Sequence, residues 1–231
     1  MGKIELSKRL QKASESINGN KQIVDIGSDH AYLPIYLIQN GFTHKAIAGE
    51  VVQGPYNNAK NKVEELNLSD SIEGRMGDGL DVLNETDEIG TIFICGMGGE
   101  LISHILENGL ERHKLPPTAR LVLQPNNAED RLRFYLMNKQ YKIIHEDIIE
   151  ENNKIYEIIV AEYQDEKVSY SEEELFFGPK LLEKKATAFI YKWQKQATKL
   201  KNILKQLEHS DNHETKELFT QKLKRIEKVI K

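Results

Sequence analysis

The sequence predicts an α/β fold: a mostly parallel, doubly wound sheet that ends in an antiparallel hairpin and leads into an α-helical, coiled-coil-like hairpin. Three observations carry this. Short β-rich apolar runs alternate with helical stretches over the first 165 residues, the pattern of βαβ units. The last two runs are separated only by Glu150-Glu151-Asn152-Asn153-Lys154, too short for a crossover helix, so they pair antiparallel at the sheet edge. Beyond about residue 165 the apolar residues recur every three or four positions instead of every two.

Taken in order, a helix near the start carries Arg9, and strands are expected at Gln22–Ile26, Lys45–Gly49, Ile72–Met76, Thr91–Cys95, Leu121–Gln124, Lys142–Ile148 and Ile155–Glu162, with helices between most of them. A parallel sheet closed by such a hairpin is the ending of Rossmann-like methyltransferases rather than of the plain dinucleotide-binding fold. In the tail, Phe189, Trp193, Ala197, Leu200, Leu204 and Leu207 form one stripe, and Phe219, Leu223, Ile226 and Ile230 form a second. Between them His209-Ser210-Asp211-Asn212-His213 reads as a polar turn, so two antiparallel helices are expected. The chain thereby divides into 1–165 for the sheet and 166–231 for the helical hairpin, with no internal repeat.

At 231 residues and 39% hydrophobic, the chain can bury one full core and still have a tail to spare. A single cysteine, Cys95, excludes a disulfide framework and a cysteine metal cluster, and no metal site is expected. The start Met1-Gly2-Lys3-Ile4-Glu5 has no signal-peptide core, and no apolar run approaches the roughly 20 residues that span a bilayer. A cytoplasmic protein without membrane contact is expected. The net charge of −4 divides unevenly: residues 178–231 hold 13 Lys and 1 Arg against 6 acidic groups, a net of +8, which leaves −12 on the rest. Clustered lysines on a helical appendage suit a polyanion, because each neutralised phosphate releases condensed counterions. Lys192, Lys195 and Lys199 are the candidates for phosphate contact; the alternative is a solvated helix face.

The stretch Asp25-Ile26-Gly27-Ser28-Asp29-His30-Ala31-Tyr32-Leu33 comes directly after the apolar Ile23-Val24 and precedes Pro34. A strand ending in an acid, a tight turn at Gly27 and a helix is how a doubly wound sheet presents a small cofactor. The later glycines of the dinucleotide fingerprint are missing, and Asp29 stands where the backbone would have to approach a pyrophosphate. Carboxylates at this turn suit a cofactor bearing an ammonium and a sulfonium, which is S-adenosylmethionine and not NAD. A strand-to-helix turn without a ligand is the bland alternative. Glu50, at the end of the second strand with Val51 beside it, can accept both ribose hydroxyls of a nucleoside, and Asp78-Gly79, past the third, can take an adenine amine. Gly96 lies in the loop Ile94-Cys95-Gly96-Met97-Gly98-Gly99-Glu100, nearly stripped of side chains and roomy enough for a planar substrate. Gln124-Pro125-Asn126-Asn127 offers amides for a base edge, with a turn and helix cap as the simpler account.

Together, Asp25-Ile26-Gly27-Ser28-Asp29-His30-Ala31-Tyr32-Leu33-Pro34, Ile94-Cys95-Gly96-Met97-Gly98-Gly99 and Gln124-Pro125-Asn126, with a helical hairpin beyond them, resemble the bacterial TrmK family. The resemblance runs from Leu6-Ser7-Lys8-Arg9-Leu10 to the C-terminus. It implies a class I methyltransferase fold, S-adenosylmethionine as cofactor, and methylation of N1 of an adenine in the D-arm region of tRNA (adenine 22), with the tail helping to hold tRNA. No protein partner is predicted.

Adenine N1 already carries an in-plane lone pair, so the enzyme's first work is positioning. The product base is cationic, and a nearby carboxylate can stabilise the developing charge or accept the N6 proton. Asp29 is the candidate; its competing role is to hold the cofactor's ammonium or the loop. His30 is a loop donor near the cofactor, Arg9 a partner for its carboxylate or for a phosphate against a default of facing solvent, and Asn126 a candidate to orient the target base. Other readings are a methyltransferase for another RNA or a small molecule, a noncatalytic RNA-binding protein with a vestigial pocket, and a scaffold whose sheet only presents the tail.

Overall fold

The computed structural model describes residues 3–208 and 212–231. Helix α1 (Lys8–Ser14) leads into β1 (Gln22–Ile26), a 3-10 turn at Asp29–Ala31 and α2 (Tyr32–Gln39). Next come β2 (Ala46–Glu50), α3 (Gln53–Glu65), β3 (Ile72–Met76), β4 (Ile89–Met97), α4 (Gly99–Glu111), β5 (Arg120–Pro125) and α5 (Glu129–Asn138). The chain continues through β6 (Tyr141–Glu151), β7 (Lys154–Tyr163), α6 (Glu172–Phe177), α7 (Pro179–Lys184), α8 (Thr187–Gln206) and α9 (His213–Val229).

Among the described residues, seven strands form one sheet in the order β3-β2-β1-β4-β5-β7-β6. β1 to β5 run parallel, whereas β7 lies antiparallel between β5 and β6. The chain moves outward from β1 to β3 and then returns to β4 on the other side of β1, so a crevice opens beyond the carboxyl ends of β1 and β4. The central strands are apolar on both faces because helices cover both. Alternate residues serve different cores: Val24, Ile92 and Leu121 pack with Ile102 and Leu106 of α4, whereas Ile23, Phe93 and Val122 pack with Leu33 and Leu37 of α2.

Arg133 of α5 is fully buried and paired with Glu146 of β6 at 2.7 Å and with Glu157 of β7. The same cluster reaches the helices beyond the sheet. Arg133 Nη1 donates to the Leu175 carbonyl at 3.3 Å, and the Lys180 N–H donates to Glu146 at 2.8 Å. Phe177 and Leu181 are buried beside these contacts, and Ser171 with Glu174 closes a capping box on α6. By its contacts the chain forms two compact units, Met1–Leu182 and Glu183–Lys231, with α6 and the start of α7 in the first. Loss of strand periodicity marks the end of the sheet, not the end of the body that packs with it.

In the second unit, Phe189, Trp193, Ala197 and Leu200 of α8 and Ile226 of α9 are buried, while Leu204, Phe219, Leu223 and Ile230 are half-covered. Lys216 Nζ donates to the Glu208 carbonyl at 3.3 Å, and Lys185 Nζ to the Val229 carbonyl at 2.9 Å. These contacts tie the two ends of an antiparallel pair. Residues 209–211 of the expected turn lie outside the described residues. Among the described residues no helix is long and apolar enough to cross a membrane.

Candidate functional site

The crevice is built first by the turn after β1. Gly27 adopts φ +73°, and its N–H and that of Ser28 both donate to the Gly49 carbonyl, at 2.9 and 3.1 Å. A side chain at Gly27 would be strained by that φ and would collide with the Met97 side chain. His30 (φ 55°) and Ala31 (φ 53°) are then left-handed in succession, a conformation costing about 1–3 kcal/mol at each non-glycine residue. Burial of Ala31 and packing of the 3-10 turn against α3 hold it there.

Two carboxylates are nearly closed off from water at the adjoining strand ends: Asp25 is 7% exposed and Glu50 8%. Burial pushes Asp25 up to about 7; the neighbouring Ser28 hydroxyl and Arg9 pull it down, and Glu50 pushes it further up. Burial also raises Glu50, against a backbone hydrogen bond from Val51 and with repulsion from Asp29 adding to it. The Cys95 thiol is raised by burial and by Asp25, which leaves it a poor nucleophile. Asp29, Val51 and Asp78 are exposed at the rim, and the His30 side chain, partly exposed, sits 3.4 Å from the Asp29 carboxylate. Gly79 (φ +55°) packs close to Ile105, and the Gly77 N–H donates to the Glu50 carbonyl at 2.9 Å, which brings the β3 loop to the end of β2.

Arg9 is half-buried. Its Nη1 donates to Gln124 Oε1 at 2.6 Å, its guanidinium lies 5.8 Å from the Tyr156 ring centre, and it faces Gly96 (φ +81°), where an added Cβ would stand 3.4 Å from Nη1. Ser7 caps α1, and Glu151 of β6 accepts the Lys8 N–H at 2.7 Å and the Arg9 N–H at 3.4 Å, which fixes the helix on the sheet.

Gln124 is fully buried and cannot read a base edge: it accepts from Arg9 and donates to the Pro125 carbonyl at 2.9 Å and to Asn126 Oδ1 at 3.1 Å. Asn126 is exposed but donates to the Gly96 carbonyl at 2.7 Å, stitching the loops after β4 and β5 together. The structure thus gathers Arg9, Asp25, Gly27, His30, Glu50, Gly96 and Asn126 around one crevice edge, with Gln124 and Tyr156 as members that sequence reasoning missed in these roles.

The donor set fits S-adenosylmethionine. Two buried carboxylates meet at the strand ends with one guanidinium near Asp25, and the buried Ser28 hydroxyl closes no hydrogen bond of good geometry among the described residues. An ammonium beside Asp25, a carboxylate against Arg9 and ribose hydroxyls at Glu50 would satisfy these groups.

Lys195 and Lys199 are exposed on α8; Lys192 is half-covered, with its ammonium 5.3 Å from the Trp193 ring centre, and Lys195 lies 5.9 Å from that of Tyr191. They belong to the second unit.

The family model described as TrmK, tRNA (adenine(22)-N(1))-methyltransferase, matches residues 23–228. A tRNA (adenine(22)-N(1))-methyltransferase of Bacillus subtilis is 40% identical over 230 residues, covering 98% of this chain and 94% of its own. A Streptococcus pneumoniae protein solved with S-adenosyl-L-methionine superposes with a TM-score of 0.90 at 41% identity, over 98% of this chain and 100% of that one. TrmK of M. capricolum, solved with S-adenosyl-homocysteine, gives a TM-score of 0.87 at 31% identity, over 98% and 99% of the two chains. With a sequence and a fold that match over nearly their whole length, the chain belongs to the TrmK family.

Proposed function

We propose that the chain methylates N1 of an adenine in the D-arm region of tRNA, using S-adenosylmethionine. The observation that carries this reading is the pair of buried carboxylates, Asp25 and Glu50, with Arg9 close by, in a chain of this family. When bound, the cofactor supplies an electrophilic methyl group on a sulfonium.

Asp25 holds the donor's ammonium, Arg9 its carboxylate and Glu50 its ribose, while Asp78, Gly79, Val51 and the Gly27 turn line the nucleoside end. Gly96 leaves open the space in front of the methyl group. The target adenine must be unpaired to expose N1, at a cost of a few kcal/mol that a large docking surface offsets. Asp29, exposed at the rim, accepts the N6 proton or balances the positive charge that develops on the purine ring. Asn126 keeps the floor of the substrate space in register through Gly96. The lysines of α8 supply phosphate contacts, and a cytoplasmic location accords with a tRNA substrate and a lone, unpaired cysteine.

The test is to incubate the protein with labelled cofactor and an unmodified tRNA transcript and to map the methyl group. Label at N1 of a D-arm adenine is expected; label elsewhere, or none, overturns the reading.

A further inference from the structure

The turn that carries Asp29 also presents an aromatic pair. The rings of His30 and Tyr32 stack, with centres 5.3 Å apart and planes 15° from parallel. Tyr32 is 39% exposed, an unusual condition for a large ring that opens a helix whose next residues, Leu33, Pro34 and Ile35, are buried. The backbone that sets the stack is costly, since it requires left-handed conformations at both His30 and Ala31. Strain of this kind persists only where packing over-determines it, and it concentrates where geometry serves a ligand. Asp29, at 3.4 Å from His30 Nε2, joins the stack to a carboxylate that is close enough to Glu50 to raise its pKa.

We infer that the Tyr32 face, backed by His30, is the platform on which the target purine lies during transfer, with Asp29 reaching its amino edge; this rests on the reading of the chain as an adenine-N1 methyltransferase. Two physical arguments support it. A base taken out of its stack recovers the lost contact on an aromatic face, and such stacking is insensitive to which base it is. Methylation at N1 also turns the purine into a cation, and a π face attracts a cation more than the neutral base, so the contact strengthens as the reaction proceeds. The platform therefore contributes to the rate of the chemical step as well as to binding.

The experiment uses the full chain and a tRNA transcript that the wild-type protein methylates, so absence of wild-type turnover tests the functional reading and not the platform. Single-turnover rates at saturating cofactor and tRNA are compared for Tyr32→Leu and Tyr32→Phe, with S-adenosyl-homocysteine affinity measured by calorimetry on the same samples. Tyr32→Leu, which keeps bulk and removes the π face, is expected to lower the rate about 10- to 100-fold with cofactor affinity within about twofold of wild type. Tyr32→Phe is expected to recover most of that loss. A Tyr32→Leu variant as fast as wild type overturns the proposal. So does a loss of rate matched by a loss of cofactor affinity, which would place Tyr32 in the cofactor pocket, and so does a Tyr32→Phe variant as slow as Tyr32→Leu.

Discussion

Arg9 of α1 donates a 2.6 Å hydrogen bond to the buried amide oxygen of Gln124 at the end of β5, 115 positions away in the chain. This contact converts an N-terminal helix into a wall of the crevice, because the same guanidinium faces Gly96 and lowers the pKa of Asp25. Arg9→Lys keeps the charge but not the planar fork, so it should weaken S-adenosyl-homocysteine binding by about 1–2 kcal/mol by calorimetry. Arg9→Ala should in addition lower the melting temperature, because the buried Gln124 oxygen loses its donor.

Asp25 sets a pH dependence whose sign is opposite for the free protein and for the complex. Its folded pKa, about 7, lies above the ordinary carboxylate value, so the native state keeps a proton that the unfolded chain gives up. Stability of the free protein should therefore fall as pH rises from the carboxylate range through 7, at up to about 1.4 kcal/mol per unit. A cofactor ammonium favours the ionised form, so affinity should rise with pH over the same window and binding should release a proton. Calorimetry near pH 6.5 in buffers of different ionisation enthalpy reads that proton directly. Asp25→Asn should abolish the buffer dependence, and equal heats in all buffers for wild type would show that Asp25 does not hold the ammonium.

Much of this frame is legible in the residues themselves, for reasons that differ along the chain. Gln22–Ile26 and Ile72–Met76 match their predicted spans because each is a five-residue run with clear breaks at both ends. β4 runs past the predicted Thr91–Cys95 to Ile89 and Met97, since Ile89 pairs with Gln22 and Met97 with Pro125 beyond register shifts that skip Gly90 and Gly96, which carry no side-chain signal for a strand. The carboxylates at strand ends are visible because the fold class tells where strand ends converge. The Arg9–Gln124 bond is not, because nothing local joins residues so far apart. Arg133 is likewise hidden: an arginine on a helix reads as a surface residue, and only the structure shows Glu146 and Glu157 turned inward to meet it.

That buried cluster yields a prediction about stability. Replacing Arg133 by Met fills the space but leaves Glu146 and Glu157 without their shared cation, at a cost of about 3–5 kcal/mol in denaturant unfolding. Gly178→Ala should also destabilise the fold, because the residue adopts φ +93° and its added carbon would sit 2.7 Å from Arg133 Nη2 and 2.9 Å from Glu146.

Asp29→Asn separates chemistry from cofactor binding. The amide keeps the shape and one acceptor but not the charge, and the side chain is exposed, so folding should be unaffected. A loss in single-turnover rate larger than any loss in cofactor affinity is expected. An intact rate would make Asp29 a loop or cofactor-holding residue and leave positioning to carry the reaction.

The last prediction concerns the helical unit, whose basic excess stands against an acidic sheet unit. Because α6 and the start of α7 are bound to the sheet through Arg133 and Glu146, a truncation after the last strand would cut into a packed body. The first compact unit ends at Leu182, within α7. A chain ending there should fold and keep its S-adenosyl-homocysteine affinity while losing most tRNA binding and turnover. In the full chain, charge reversal of Lys192, Lys195 and Lys199 should weaken tRNA binding and flatten its salt dependence, each lost phosphate contact removing roughly 0.7–0.9 from the log–log slope. Electrophoretic mobility or fluorescence titrations at several salt concentrations give that slope. If the shortened chain methylates tRNA at the full rate, α8 and α9 serve stability or assembly, and the phosphate contacts must come from residues of the sheet unit.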